Sequence, residues 1–326
     1  MNIMVIGAGT WGTALSILLN DNGHKVTLWH YKQDFLNQLD LNRIHPKLNH
    51  PISSSINFTN NLENINNNDI IVIAIPTQTI RDTFKNFNEV SNEILFVNAS
   101  KGIEITSLKT ISNVLIEVTN IDKNNIVALY GPSHAEEVVK KIPTTIVASS
   151  TKINNARLVQ DVFSNQFFRV YSNNDIIGVE ISGSIKNIIA IAAGISDGVG
   201  FGDNTLSALI TRGIAEIKRL GLKMGANENT FLGLSGIGDL IVTATSEHSR
   251  NRTLGYKIGK GNKLNDITSE MSMIAEGVAT SQAIYKLSKK LNVEMPICDK
   301  VYEILFEYKD PKTAIFELMS RKLIDE

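Results

Sequence analysis

Residues 2–12 read Asn-Ile-Met-Val-Ile-Gly-Ala-Gly-Thr-Trp-Gly. Five mostly apolar residues spell a buried parallel strand, and Gly7, Gly9 and Gly12 stand where that strand turns into a helix. As a bare pattern G-x-G-x-x-G is weak, because glycines are common in turns. Between a strand and a helix each glycine has a task. Gly7 permits the tight turn, Gly9 lets backbone approach a pyrophosphate, and Gly12 lets the helix pack close on the strand. The helix N-terminus adds unpaired N–H groups and a partial positive charge. A chain that starts this way is expected to open with a βαβ unit that binds a dinucleotide; a plain structural turn is the alternative.

The 326 residues suggest two domains, each large enough for its own core. With 43% hydrophobic and 20% charged residues the composition is ordinary for a globular protein. A net charge of −1 gives no field to attract nucleic acid or an anionic membrane, so neither partner is expected. The single cysteine, Cys298, excludes an internal disulfide and a cysteine metal cluster, and is read as a core residue in a reducing compartment. No metal site is expected. No apolar run approaches the roughly 18 residues that span a bilayer. The N-terminus leads directly into a strand with no basic region before it, so no signal peptide is expected and the expected location is the cytosol.

After the glycines, residues 14–19 keep helical spacing until Asn22-Gly23, and Lys25–Trp29 forms a second strand. An NAD site expects a carboxylate near the end of that strand, on the ribose 2′-hydroxyl. This chain has His30-Tyr31-Lys32 there. Without the acid a 2′-phosphate is not repelled, and Lys32 or His30 could attract it; the alternative is that Asp34 turns back to hold NAD. Further strands are expected at 56–59, 69–75, 94–98, 126–130, 144–148 and 168–171, with helices between most of them, for example over 107–118. This alternation predicts an α/β, Rossmann-type doubly wound parallel sheet. Ligands of such sheets lie past the strand ends, which singles out Pro76-Thr77, Ser100-Lys101-Gly102 and Gly131-Pro132-Ser133-His134-Ala135. Lys101 is read as a ligand contact and Ser133 as a candidate helix cap. The Asn-rich stretch 64–68 is a polar loop with no chemistry assigned.

From Asp175 the pattern turns helical to the end, which sets a dinucleotide-binding domain over 1–174 and an all-α domain over 175–326. Ile181, Ile185, Ile188 and Ala192 mark one face of a long helix that carries Lys186-Asn187 as its polar break. Such a lysine either snorkels to water or sits desolvated, ready for proton transfer. Residues 194–205 read as a glycine-rich connection, with Asn204 capping a helix over 205–220. Residues 233–240 read as a second glycine-rich loop holding one carboxylate, Asp239. Ser249-Arg250-Asn251-Arg252 puts two guanidinium groups and an amide at a helix start, which is phosphate-binding equipment. Helices are expected after Ala275-Glu276-Gly277 and from Met295-Pro296, and Glu317, Arg321 and Lys322 read as surface charge.

Taken together these signatures resemble the bacterial-type NAD(P)-dependent glycerol-3-phosphate dehydrogenase family over essentially the whole chain. The resemblance rests on Gly7–Leu15, Ser100–Gly102, Gly131–Ser133, Arg169–Tyr171, Gly183–Asn187, Ser196–Gly198, Thr211–Gly213, Gly236–Leu240, Ser249–Arg252 and Glu276-Gly277, in that order. It implies a C-terminal domain of the 6-phosphogluconate-dehydrogenase-like type and Lys186 as the catalytic lysine. It further implies substrate contacts at Lys101, Gly131, Ser133, Lys186, Asp239, Ser249, Arg250 and Asn251. The implied cofactor contacts are Gly7, Gly9, Thr10, Trp11, Gly12, Tyr31, Lys101, Ala135, Arg250, Ile274 and Glu276. Family members often carry His or Arg where this chain has Tyr31, so the choice between NADP(H) and NAD(H) stays open.

The implied reaction is reduction of dihydroxyacetone phosphate to sn-glycerol 3-phosphate for phospholipid synthesis. Rival readings are a ketopantoate reductase or β-hydroxyacid dehydrogenase of the same plan, against which the phosphate equipment at 249–252 argues, and a regulator that senses NADP(H) without turnover. A sugar-nucleotide dehydrogenase would need a nucleophilic cysteine, and Cys298 has no such setting. A homodimer is open to the chain, whose sequence does not set the oligomeric state.

Overall fold

The computed structural model describes residues 1–63, 65–87, 90–270 and 275–323. The chain divides into two compact units, Met1–Lys101 with Thr110–Val179, and Gly102–Lys109 with Glu180–Glu326.

The first unit is built on the strands β1 (Asn2–Ile6), β2 (Lys25–Trp29), the short pair β3 (Ile44–His45) and β4 (His50–Pro51), β5 (Asn57–Thr59), β6 (Ile70–Ile73), β7 (Leu95–Asn98), β8 (Ile126–Tyr130), β9 (Thr144–Ser149) and β10 (Phe168–Asn173). Eight of them form one sheet in the order β10-β9-β8-β7-β6-β1-β2-β5, and β3 pairs with β4 as a separate hairpin. All four residues of β6 and all five of β8 are buried, as expected of strands covered on both faces. Helices α1 (Thr10–Asp21), α2 (Gln33–Asn42), α3 (Ile80–Phe84), α4 (Ile111–Thr119), α5 (Ala135–Val139) and α6 (Ile153–Phe163) join them. The fold class is therefore the expected Rossmann-type α/β sheet followed by a helical domain, with one difference. β8 and β9 pair antiparallel, so β9 and β10 run against the other six strands. Alternating strand and helix patterns carry no strand direction, which is why the sequence reads as wholly parallel.

The second unit holds α7 (Ile176–Val199), which begins four residues before the boundary, then α8 (Asp203–Lys223), α9 (Asp239–Thr245), α10 (Arg250–Gly259), α11 (Leu264–Glu270), α12 (Glu276–Leu291), α13 (Pro296–Phe306) and α14 (Pro311–Met319). Several local expectations change. Residues 107–110 are not helical: Leu108 has φ 60°, which an α-helix does not allow, and Thr110 is the N-cap of α4. Gly194 to Val199 continues α7 and is not a connection, and the π-helical turn Leu234–Gly238 leads straight into α9. Asn204 lies inside the first turn of α8, whose N-cap is Gly202. Ser133 does not cap α5; His134 holds the cap position. By length and composition α7 could cross a membrane, which a search for unbroken apolar runs misses because Glu180 and Lys186 interrupt it; 89% of its most apolar window is buried inside the protein.

Glu216 of α8 organises part of this unit. Pro296 opens α13, and the next two backbone N–H groups, of Ile297 and Cys298, have no partners within their own helix. Glu216 accepts both, at 2.6 and 3.2 Å. The carboxyl is 2% exposed, and burial raises its pKa to about 7 against the opposing pull of those two bonds. Cys298 is buried, as read from the sequence.

Candidate active site

In the sheet unit the glycine turn has the geometry its sequence demands. Gly7 has φ +119°, and a Cβ there would sit 2.4 Å from the Ala74 carbonyl oxygen. At Gly12 a Cβ would meet the Gly7 oxygen at 1.8 Å, so only glycine lets α1 start this close to the strand. Beside Gly9, the N-cap of α1, the space is open. Nothing there would hinder a phosphate approaching the N–H groups of the first helical turn, where Thr10 and Trp11 stand. The buried indole Nε1–H of Trp11 has no acceptor among the described residues. These residues fit a dinucleotide pyrophosphate.

The ends of β7 and β8 are tied together. The Asn98 amide donates to the Tyr130 hydroxyl at 2.9 Å, that hydroxyl donates to the Ser100 carbonyl, and Ser100 Oγ donates to the Ile75 carbonyl at 2.7 Å. The network is buried and fixes the backbone that presents Lys101. Lys101 Nζ donates to the Gly131 carbonyl at 3.1 Å and lies 5.6 Å from the centre of the Tyr130 ring. Ser133 Oγ donates to the same carbonyl at 3.0 Å. Lys101, Gly131 and Ser133, separated in sequence, are thus brought together.

In the helical unit the polar break of α7 meets α9. Lys186 Nζ donates to Asp239 Oδ1 at 2.5 Å and to Thr243 Oγ1 at 2.6 Å. Lys186 is 6% and Asp239 1% exposed, so of the two sequence readings the snorkelling lysine is excluded. Asp239 and Thr243 stand at i and i+4 on α9 and therefore share a face. Thr243 also donates to the Asp239 carbonyl at 2.6 Å, which turns its oxygen lone pairs toward the lysine. A buried ammonium is kept charged by a carboxylate at contact distance, and such a pair depends on both members.

The start of α10 is built as expected, with Ser249 capping it through a bond from the Arg252 N–H at 3.2 Å. Arg250 is exposed, and Arg252 pairs with Asp197 of α7 at 2.7 Å. Asn251 is buried; its amide donates to Asn187 Oδ1 at 3.0 Å and accepts from the Gly277 N–H at 3.0 Å. This joins the residue after Lys186, the phosphate-type helix start and the first turn of α12, where Glu276 stands. Close contact of α7 with α10 makes it possible. A Cβ on Gly194 would lie 2.0 Å from the Arg252 oxygen, and one on Gly255 would lie 2.1 Å from the Ile191 oxygen. Gly194, read from sequence as part of a connection, is a backbone-to-backbone contact.

Lys186, Asp239, Ser249, Asn251 and Glu276 therefore fall in one connected region of the helical unit. Tyr31 is 66% exposed just after β2, its ring tilted by 38° against that of His30 at 4.7 Å between ring centres, with Lys32 Nζ 5.4 Å from the Tyr31 ring centre. Ala135 opens α5, and Ile274 lies outside the described residues. Thr243 and Asn187 are the partners that sequence reasoning left without a role. For Thr243 the available signal was its i+4 spacing from Asp239; for Asn187 it was adjacency to the lysine.

A pyrophosphate-fitting turn on a Rossmann-type sheet and a buried lysine–carboxylate pair on a helical domain define a nicotinamide-dependent oxidoreductase. Comparison with known proteins specifies it further. The models of the NAD-dependent glycerol-3-phosphate dehydrogenase N-terminus and C-terminus match residues 2–156 and 175–316. The chain is 50% identical to "Glycerol-3-phosphate dehydrogenase [NAD(P)+]" of Pelodictyon phaeoclathratiforme, covering 100% of this chain and 99% of the relative. It is 48% identical to the protein of the same name from Bacillus subtilis, covering 98% and 94%. A crystal structure of glycerol-3-phosphate dehydrogenase from Coxiella burnetii superposes with a TM-score of 0.93 at 32% identity, over 98% of this chain and 99% of that one. The chain belongs to the NAD-dependent glycerol-3-phosphate dehydrogenase family.

Proposed function

We propose that the protein catalyses the reversible reduction of dihydroxyacetone phosphate to sn-glycerol 3-phosphate with NADPH or NADH. The observation that carries this reading is the buried Lys186 ammonium held by Asp239 and Thr243. When bound, the reduced nicotinamide supplies the hydride that adds to C2 of the substrate. Gly7, Gly9, Thr10, Trp11 and Gly12 would hold its pyrophosphate, and Tyr31 its adenosine end. As C2 is reduced, negative charge builds on the carbonyl oxygen, which a nearby cationic donor stabilises. Lys186 gives its proton to that oxygen, becomes neutral, and regains a proton from solvent. Asp239 and Thr243 orient its Nζ, and Asp239 keeps it charged between turnovers. Lys101 contributes a second positive charge. Arg250 and Asn251 take the substrate phosphate, with Ser249 shaping the helix start, so that binding energy at the phosphate positions the carbonyl.

No carboxylate follows β2 before Asp34, which supports acceptance of NADPH beside NADH. A cytoplasmic enzyme that feeds glycerophospholipid synthesis is the setting this reading implies. The test follows loss of the reduced-nicotinamide absorbance with dihydroxyacetone phosphate, ketopantoate and β-keto acids, each with NADPH and with NADH. Oxidation with dihydroxyacetone phosphate and formation of glycerol 3-phosphate is the expected result. Oxidation only with an unphosphorylated acid would select the rival reductases, and none with any substrate a nucleotide sensor.

A further inference from the structure

His45, in the β3–β4 hairpin, has no part in the site described above, yet it touches the glycine turn. It is 2% exposed. Its Nδ1 accepts the backbone N–H groups of Lys47 and Leu48, each at 3.2 Å. An imidazole nitrogen that accepts two N–H bonds carries no proton, so the proton sits on Nε2. Nε2 lies 3.3 Å from the Ala8 carbonyl oxygen and donates to it. Burial, aided by the Lys47 ammonium, lowers the His45 pKa against the pull of the Ala8 bond, which favours the neutral ring this arrangement requires.

Ala8 lies between Gly7 and Gly9, and no peptide among the described residues is cis. In a trans peptide the carbonyl and the next N–H point opposite ways. The Ala8 oxygen and the Gly9 N–H are therefore two ends of one rigid plane. Glycine on the far side of that plane offers little resistance to a flip. The Gly9 N–H has no acceptor among the described residues, and the space beside Gly9 is open. The hairpin itself is well held: Leu48 and Ile52 are buried in the sheet core, and Arg43 Nη1 donates to the carbonyls of Ser53 and Ile56, both at 3.0 Å.

We propose that His45 is a positioning residue for the cofactor: by gripping the Ala8 carbonyl it aims the Gly9 N–H at the dinucleotide pyrophosphate. The proposal rests on dinucleotide binding by the glycine turn and not on which carbonyl compound is reduced. It is tested by binding, with NADPH and NADH titrated into the intact protein and followed by nicotinamide fluorescence, alongside thermal unfolding of the free protein.

Two variants separate the two ends of the ring. His45→Asn keeps a near acceptor for the Lys47 and Leu48 N–H groups but falls short of Ala8. His45→Gln keeps a donor near the Nε2 position and gives up the near acceptor. The expected result is a crossed pattern. His45→Asn unfolds close to the wild-type temperature yet binds dinucleotide about five- to tenfold more weakly, as the loss of one hydrogen bond implies. His45→Gln unfolds at a lower temperature and keeps near wild-type affinity. Unchanged affinity in His45→Asn, or affinity that falls in step with unfolding temperature in both variants, would overturn the proposal.

Discussion

Lys186 and Asp239 are 53 residues apart in the chain and 2.5 Å apart in the fold, with both side chains buried. Neither could sit there alone. An unpartnered ammonium or carboxylate in such a place would shed its charge or unfold its surroundings. The pair therefore joins stability to chemistry, because the group that keeps Lys186 charged is also the group that makes its burial tolerable.

Removing the carboxylate exposes that dependence. Asp239→Ala strands a buried ammonium and is expected to lower stability by about 3–5 kcal/mol, whereas Lys186→Met combined with Asp239→Leu recovers most of that loss. Urea unfolding of the single and double variants measures the difference. An additive double variant would mean that the two charges are not coupled.

Arg250 stands exposed in the first turn of α10, and under the proposed function it takes the substrate phosphate. Arg250→Ala is expected to cut kcat/KM for dihydroxyacetone phosphate by about 10- to 100-fold, in line with a charged hydrogen bond. With dihydroxyacetone, which lacks the phosphate, the same variant should match the wild type. Equal losses on both substrates would place the role of Arg250 elsewhere.

Glu216 makes stability depend on pH. Its pKa rises from the usual 4.5 to about 7 on folding, so between those values the folded protein binds more protons than the unfolded chain. The contribution is fully present below about 4.5 and is lost as pH rises through about 7, by roughly 3 kcal/mol at most. Glu216→Gln cannot ionise. Between pH 5 and 8 the wild type should lose stability relative to this variant, and parallel unfolding profiles would rule out the shift.

The close approach of α7 and α10 is equally testable. Gly255→Ala forces a methyl against the Ile191 oxygen, where a Cβ would lie at 2.1 Å. Overpacking of this kind costs about 1–3 kcal/mol. Because α10 begins with Arg250 and Asn251, KM for the phosphorylated substrate should rise with the drop in unfolding temperature. No change in either would show that the helices can separate freely.

The sheet was legible because its strands are continuous β-branched runs: Ile70 to Ile73, each 0% exposed, could be little else. The two-residue strands at Ile44 and His50 carry no periodicity, so the hairpin that brings His45 to Ala8 could not be read. Gly194 was legible only as a breaker, since the α10 backbone that needs its missing side chain lies 58 residues on. Lys186, Asp239 and Arg250 could be named as candidates from residue type and setting. Thr243 could not, because its hydroxyl gains a role only when α9 turns it to the same face as Asp239. Chemical type survives in sequence, while juxtaposition is a property of the fold.

The most direct test of Lys186 as proton donor is turnover in Lys186→Ala beside NADPH binding to the same protein, at a temperature where circular dichroism shows it folded. Loss of the donor should lower kcat with dihydroxyacetone phosphate by about 10²- to 10⁴-fold while the dissociation constant for NADPH stays at the wild-type value. Turnover near the wild-type rate in a folded, NADPH-binding Lys186→Ala protein would contradict the assignment.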